Sequence, residues 1–475
     1  MMEKRTKILA TIGPSTQSQE MLEKMLKAGM NAMRLNFSHG DFAEHQGKVD
    51  NLRKAIEKTG IPASIMQDLG GPKIRIGDFS TESINLKEGQ TFTITTDKIV
   101  GDETRVSVNY EPLPREVQKG GTILLHDGKK RLEIIDIKGN DVICKVIVGG
   151  DMKGRRGMNL PGAHLSISSI TEKDKKDLEF GIANDVDFVA FSFARRAADI
   201  VELRQILETR KLNAKIIAKV EDVEGLENLD EILKLVDGIM IARGDMAIEI
   251  GAEHVPMVQK NIIKKCNKLG KIVITATHML ESMIKNPVPT RAEVSDIANA
   301  ILDGTDAIML SEESTLGEYP VEAVKVMDKV ARRVESDHLH DQLARGRFSD
   351  HTFAIKSVTD ASTRSAVSTA DTLDAKFIVA LSDSGHTARM ISRYRPTRPV
   401  IVLTPNKKTY QFSTLLFGCH PVLVKEFKTF DEVLETVRHI MLTKKLANVG
   451  EKVVIASAMP FGKIAETNMV TVETL

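Results

Sequence analysis

Short apolar runs and stretches in which apolar residues recur every three or four positions alternate from the start of the chain. Ile8–Ile12, Ala32–Phe37 and Ala63–Asp68 have the pattern of strands, and Gln19–Ala28 and Phe42–Lys58 that of amphipathic helices. Between residues 71 and 168 the pattern changes. Thr91–Thr95, Arg105–Val108, Ile123–Leu125 and Asp141–Val148 are short, β-branched and separated by glycine and aspartate turns, which predicts an all-β insertion. The alternation then resumes. Strands are expected from Asp187, Lys215, Gly238, Lys271 and Asp306, with helices at Glu172–Ala183, Ala198–Thr209, Leu226–Val236, Pro256–Lys268, Arg291–Leu302 and Pro320–Val334.

Outside the insertion this makes eight strands, each followed by a helix. Eight such units build a (β/α)8 barrel, whose active site lies at the C-terminal ends of its strands. A doubly wound parallel sheet is the alternative. The polar stretch Asp337–Asp350 has the composition of a linker. Beyond it a second α/β unit alternates helix Thr359–Thr372, strand Lys376–Leu381, helix Thr387–Tyr394, strand Pro399–Leu403, helix Phe430–Lys445 and strand Lys452–Ala456. The expected division is a barrel domain at 1–70 and 169–345, a β-rich lid at 71–168 and a C-terminal α/β domain at 346–475.

The length of 475 residues agrees with about three domains, and 42% hydrophobic composition is ample for their cores. A formal charge of +1, no tryptophan and only four tyrosines leave no basic or stacking footprint for nucleic acid. Cys144, Cys266 and Cys419 are too few and scattered for a disulfide framework or a paired-cysteine metal site. With no apolar run approaching 18 residues and no export signal, a cytoplasmic protein without a membrane partner is expected.

Candidate chemistry gathers where the strands end. Along Lys215–Glu221, alternation sets Ile217, Lys219 and Glu221 on one face. The following strand breaks at Arg243-Gly244-Asp245. Since a helix joins them, the two strands are parallel and Glu221 and Asp245 share one end. Two carboxylates beside a lysine suit Mg2+, which takes one or two protein carboxylates and keeps positions for substrate oxygens; alone, they equally have the look of a surface ion pair. Arg34, Asn36 and Ser38 share a face at the exit of the second strand, where an arginine suits phosphate recognition. Asp68, Thr277-His278 and Ser311-Glu312-Glu313 end three more strands. The run from Arg243 to Glu249 has the pattern of a short helix, whose free N–H groups and small Gly244 offer an anion site.

MRLNFSHG (33–40), GPKIR (71–75), KVEDVEGLENLDEIL (219–233), IMIARGD (239–245), ITATHMLESM (274–283), NPVPTRAEVSDIANAILDGTDAIMLS (286–311) and GEYPVEAV (317–324) together resemble the pyruvate kinase family. The resemblance implies a barrel with a mobile β lid, a C-terminal regulatory domain, a homotetramer and the reaction of phosphoenolpyruvate with ADP to give pyruvate and ATP. Carried over by position, it implies Glu221 and Asp245 as ligands of Mg2+ (or Mn2+), and Lys219, Arg34 and Thr277 as catalytic residues. Substrate binding would fall to Arg34, Lys219, Gly244, Asp245 and Thr277, and nucleotide binding to Asn36, His39, Arg75 and Arg156. Thr277, Ser311 and Glu313 would lie near the proton relay. Such residue types fit phosphoryl transfer, which asks a protein mainly to align reactants and spread positive charge.

Departures from the family pattern carry their own expectations. His278 stands where glutamine is usual and Glu312 where glycine is usual, both on the proton-delivery side. In family members that hold K+, the pocket matches Asn36, Ser38, Asp68 and the carbonyl of Leu69, with a glutamate at the position of Lys73. A lysine there brings its own positive charge, and a K+ ion ~4 Å away would repel it by about 4 kcal/mol at an effective dielectric near 20. No K+ requirement is therefore expected. Ser382, Ser384, Gly385, His386 and Thr387 resemble the family's effector loop, while its usual second element appears as the altered run 461–468; a phosphorylated effector is expected, its identity open. A Mg2+-dependent barrel aldolase or lyase, which needs no ADP, and an inactive metabolite-binding homologue are the competing readings.

Overall fold

In the computed structural model, residues 4–349, 356–461 and 466–475 are described. Eight parallel strands close into a barrel: β1 Lys7–Thr11, β2 Ala32–Asn36, β3 Ser64–Asp68, β4 Phe188–Phe191, β5 Lys215–Val220, β6 Gly238–Ala242, β7 Ile272–Ala276 and β8 Ala307–Leu310. Each pairs with its sequence neighbours, and β1 closes on β8 through Lys7↔Ala307 to Ala10↔Leu310. The barrel prediction holds, and the doubly wound alternative does not.

Strand parity accounts for the two cores. Residues such as Leu9, Met66, Phe188, Ile217, Met240 and Ile274 fill the barrel interior, while their neighbours Ile8, Ile65, Val189, Ile216, Ile239 and Val273 pack against the surrounding helices. Burying an isoleucine or phenylalanine completely contributes about 1.5–3 kcal/mol, so reversing this parity is costly at every strand.

The β insertion leaves after β3 and returns before helix Glu172–Ala183. It forms a six-stranded sheet and a two-stranded ribbon around its own core, with Phe92, Ile94, Leu132 and Cys144 fully buried or nearly so. Its root is tied down by Asp174, whose Oδ1 accepts the Gly71 N–H at 3.1 Å and whose Oδ2 completes a capping box with Thr171.

The C-terminal unit is a five-stranded sheet in the order Cys419–Leu423, Val400–Thr404, Phe377–Leu381, Lys452–Ala458, Thr467–Thr474, the last antiparallel. Sequence reading did not anticipate that last strand. It also took 337–350 for a linker, whereas His338–Ser349 is helical: the Asp337 carboxylate accepts the Leu339 N–H at 3.1 Å, and the buried His340 ring lies against Phe417. A polar composition masked a helix.

This unit covers the N-terminal mouth of the barrel. Phe188 meets Phe412 with ring centroids 6.1 Å apart, and Lys7 donates to the Cys419 carbonyl at 2.6 Å. Arg395 crosses the boundary fully buried, donating to Asp306 Oδ2 at 2.6 Å and to the Gly304 carbonyl at 2.8 Å. The opposite mouth, at the strand exits, is left to the lid.

Candidate active site

At the exits of β2, β3 and β5, side chains that alternation turns into the barrel meet in a buried charge network. Arg34 donates from Nε to Asp68 Oδ2 at 2.6 Å and from Nη1 to Thr11 Oγ1 at 2.9 Å. Its Nη2 has no partner among the described residues. Lys219 lies 3.0 Å from Glu221 Oε1 and 3.4 Å from Asp68 Oδ1, and donates to Ser192 Oγ at 2.7 Å. Arg34, Asp68 and Glu221 are each less than a tenth exposed. Charges this dry persist only when paired.

The electrostatics show which charges are satisfied. Burial opposes ionisation of Asp68, but Arg34 and Lys219 outweigh it and hold the carboxyl below its usual range. Burial likewise works against the Lys219 ammonium, and Asp68 and Glu221 more than offset it. Glu221 is less well served. Burial pushes it up to about 7, Asp245 adds like charge, and the attraction of Lys219 and the Phe193 N–H at 2.8 Å offsets only part. A divalent cation between Glu221 and Asp245 would relieve that strain.

Asp245 stands in the first turn of helix Arg243–Ile250, exposed, with no side-chain hydrogen bond or ion pair among the described residues. No group of three or more histidine, cysteine or carboxylate side chains gathers there or elsewhere among the described residues. Two carboxylates therefore fit Mg2+, which leaves most of its positions to water and substrate, and not a closed zinc cage.

Gly244 is small for a visible reason. A Cβ there would lie 2.8 Å from Thr277 Cγ2. Thr277 and His278 both adopt positive φ, at 73° and 54°, a conformation that β-branched residues avoid. Arg243 holds that turn by donating to the carbonyls of Ala276 at 3.0 Å and Thr277 at 2.7 Å. Glu313 supports it from the short helix Glu312–Thr315 that follows β8: its carboxylate accepts the N–H groups of Leu280 at 3.0 Å and Ser311 at 2.7 Å. Both oxygens of Glu313 are thus engaged by backbone, which makes it a brace of the turn. His278 is exposed and 3.8 Å from Glu281.

Above the strand exits lies a cleft of about 600 Å³ lined from both lid and barrel. Arg75, Arg155, Arg156, Lys73 and His39 line it together with carboxylates that include Asp245, Glu249 and Glu312. Arg75 donates to the Arg155 carbonyl at 3.0 Å, and the buried Nε of Arg156 has no hydrogen-bond partner among the described residues. Burial, then Lys73 and Arg75, hold His39 below the usual imidazole value. A basic wall with an unsatisfied donor suits phosphate oxygens.

Lys73 donates to Ser38 Oγ at 2.9 Å. Asn36 Oδ1 accepts the Ser38 N–H at 3.1 Å, Asp68 is bound by Arg34 and Lys219, and the Leu69 carbonyl accepts the Ser192 hydroxyl at 2.8 Å. Every oxygen expected of a monovalent-cation pocket already has a protein donor.

The loop 382–387 lies far along the chain, on the C-terminal unit. Ser384 and His386 are exposed, whereas Ser382 and Thr387 are buried, and the Thr387 hydroxyl pairs with Thr467 at 2.8 Å. Its helix, His386–Ser392, begins one residue earlier than expected, with Gly385 at φ 82° before it. Of the run 461–468, residues 462–465 lie outside the described residues.

Sequence reading missed two features. Glu249, pushed up to about 7 by burial, accepts from Asn159 of the lid at 3.1 Å and so joins lid to barrel. Ser192 follows Phe188 and Ala190 on the inward parity of β4, a signal that was present but common to any strand end.

The family models "Pyruvate kinase, barrel domain" and "Pyruvate kinase, alpha/beta domain" match residues 3–324 and 360–473. A pyruvate kinase of Clostridium perfringens is 43% identical over 99% of this chain and 100% of its own length. Those of Staphylococcus saprophyticus and Geobacillus stearothermophilus are 45% and 43% identical, and the matches cover 80% and 81% of their lengths and 98% and 100% of this chain. The crystal structure of a pyruvate kinase from Cryptosporidium parvum superposes with a TM-score of 0.95 at 35% identity, covering 99% of this chain and 96% of that one. With both family models matched in order, a relative 43% identical over its whole length and a barrel carrying its charges at the strand exits, the chain belongs to the pyruvate kinase family and is an enzyme of that type.

Proposed function

We propose that the strand-exit network and the cleft above it transfer the phosphoryl group of phosphoenolpyruvate to ADP, giving pyruvate and ATP. The observation that carries this reading is the buried convergence of Arg34, Lys219 and Glu221 directly below a cleft whose lid wall holds Arg75 and Arg156. Glu221 and Asp245 would hold Mg2+ or Mn2+, which supplies Lewis-acid charge to substrate oxygens.

Each residue then has a stated task. Arg34, with Nη2 free, grips the substrate phosphate, and Lys219 stabilises the phosphoryl group as it moves. The N–H groups of Gly244 and Asp245, in the first turn of their helix, hold the substrate carboxylate with the Thr277 hydroxyl. Arg75, Arg156 and His39, which line the cleft, orient the nucleotide phosphates together with Asn36 at the end of β2. The lid excludes water that would otherwise accept the phosphoryl group. Thr277 and Ser311 border the face at which carbon is protonated, Glu313 bracing both.

The engaged oxygens around Lys73 support activity without K+. A phosphorylated effector on the 382–387 loop and a homotetramer complete the reading, on the family resemblance. A coupled assay following pyruvate from phosphoenolpyruvate tests it. Turnover should need both ADP and Mg2+; pyruvate formed without ADP would favour a lyase, and no turnover with intact ligand binding a metabolite-binding scaffold. Adding phosphosugars and nucleotides singly to that assay tests the effector, and an unchanged rate with all of them would remove it.

A further inference from the structure

The tip of β4 supplies a residue that the assignments above leave without a role. Ser192 is 2% exposed, and its Oγ accepts the shortest contact that Lys219 makes, at 2.7 Å against 3.0 Å to Glu221 and 3.4 Å to Asp68. A serine hydroxyl has one proton. Its nearest acceptor is the Leu69 carbonyl at 2.8 Å, with Asp68 Oδ1 at 3.4 Å. With the proton committed to Leu69, the lone pairs of Oγ face the ammonium.

We propose that Ser192 is a positioning residue for phosphoryl transfer, its hydroxyl aiming the Lys219 ammonium at the transferring group while leaving the lysine's charge available. The inference rests on the reading that Lys219 meets that group. The reason lies in the difference between the lysine's acceptors. Glu221 and Asp68 are charged and draw the ammonium towards themselves, where its charge is spent on carboxylates. A neutral acceptor fixes its direction and neutralises nothing. Pre-aimed charge of this kind acts in the transition state, where rate is decided.

The surroundings hold the hydroxyl still. A Cβ at Gly71 would lie 2.9 Å from Ser192 Cβ, so the root of the lid passes directly over this side chain. The next residue, Phe193, has φ 52° and donates its N–H to Glu221 Oε2 at 2.8 Å. Two successive residues of one strand tip thus orient the lysine and the metal-ligating carboxylate. The same tip continues to Arg195 and Arg196, which donate to the lid carbonyls Ile167 and Leu165 at 3.0 and 3.1 Å.

The test compares Ser192→Ala and the near-isosteric Ser192→Cys with the parent chain, reading kcat, the KM for each substrate and the thermal midpoint. A thiol fills the space but accepts hydrogen bonds poorly. Both variants should lose about tenfold or more in kcat, ~1.4 kcal/mol at the transition state, with KM for phosphoenolpyruvate changed less than about threefold. A Cys variant within about twofold of the parent kcat, or a loss confined to KM, would overturn the proposal; should the Ala variant fail to fold, the Cys variant decides alone. Lys219→Met is the control for the underlying reading. If it is inactive while Ser192→Cys is fully active, only the role of Ser192 falls; if it keeps more than about a tenth of the parent kcat, the role of Lys219 falls first.

Discussion

Glu221 is a residue whose charge the fold leaves unsettled, since burial and Asp245 push it up to about 7. A metal-ligating carboxylate must be deprotonated, so protons compete with Mg2+ below that value. The Mg2+ concentration giving half-maximal rate should be flat above pH ~8 and rise up to about tenfold per pH unit below ~7. A requirement constant from pH 6 to 8 would detach Glu221 from the metal. At Lys73 the expected outcome is equally specific. Its ammonium on Ser38 Oγ should make the rate in tetramethylammonium buffer match that with KCl, whereas Lys73→Glu should become K+-stimulated by tenfold or more, in keeping with the ~4 kcal/mol that two adjacent cations would cost. A hundredfold fall of the parent rate without K+ would refute this.

Among the elements, helix Arg243–Ile250 and the turn at Thr277 form one fitted unit, because the absent side chain of Gly244 is filled by Thr277 Cγ2. Gly244→Ala should displace that turn and lower kcat/KM for phosphoenolpyruvate by about a hundredfold, the usual effect of moving a substrate-holding group by ~1 Å, with little change in thermal midpoint. A variant within threefold of the parent would show that the turn yields freely. The charged tips of β2 and β5 were legible in the sequence, because an arginine, a lysine or a glutamate on the inward parity of an apolar strand has no use in a core. The left-handed turn at Thr277 and His278 was not, since local preference argues against positive φ there and tertiary contacts, among them those of Arg243 and Glu313, hold it. Helix His338–Ser349 was missed because its composition is polar, and strand Thr467–Thr474 because it lies half-exposed at a sheet edge.

At the scale of the whole molecule, the barrel is bound at one mouth by the C-terminal unit and at the other by the lid. Arg395 is the centre of the first boundary. Arg395→Met would leave Asp306, among the described residues, with the backbone N–H groups of Val273 and Phe417, each at 3.0 Å, and should destabilise the chain by about 3 kcal/mol. A lower thermal midpoint is the readout, and an unchanged midpoint would show that those two N–H groups suffice.

The second boundary bears on how such a chain finds its shape. Pairing β3 with β4 joins Met66 to Phe188 across a segment longer than many complete domains. For a flexible tether the entropy of bringing its ends together grows as about 1.5RT ln n, and non-local pairings of this kind are slow to form. The insertion is not a flexible tether. Its core is its own, its two ends are bridged between Arg75 and Gly157, and Asp174 fastens Gly71 to the helix that follows. Once that module has folded, β3 and β4 are joined by a much shorter effective connection, the segment after Gly157 with its helix Glu172–Ala183, and the long excursion opposes ring closure far less. The part that roofs the chemistry also serves as a clamp that brings β3 and β4 within reach of each other.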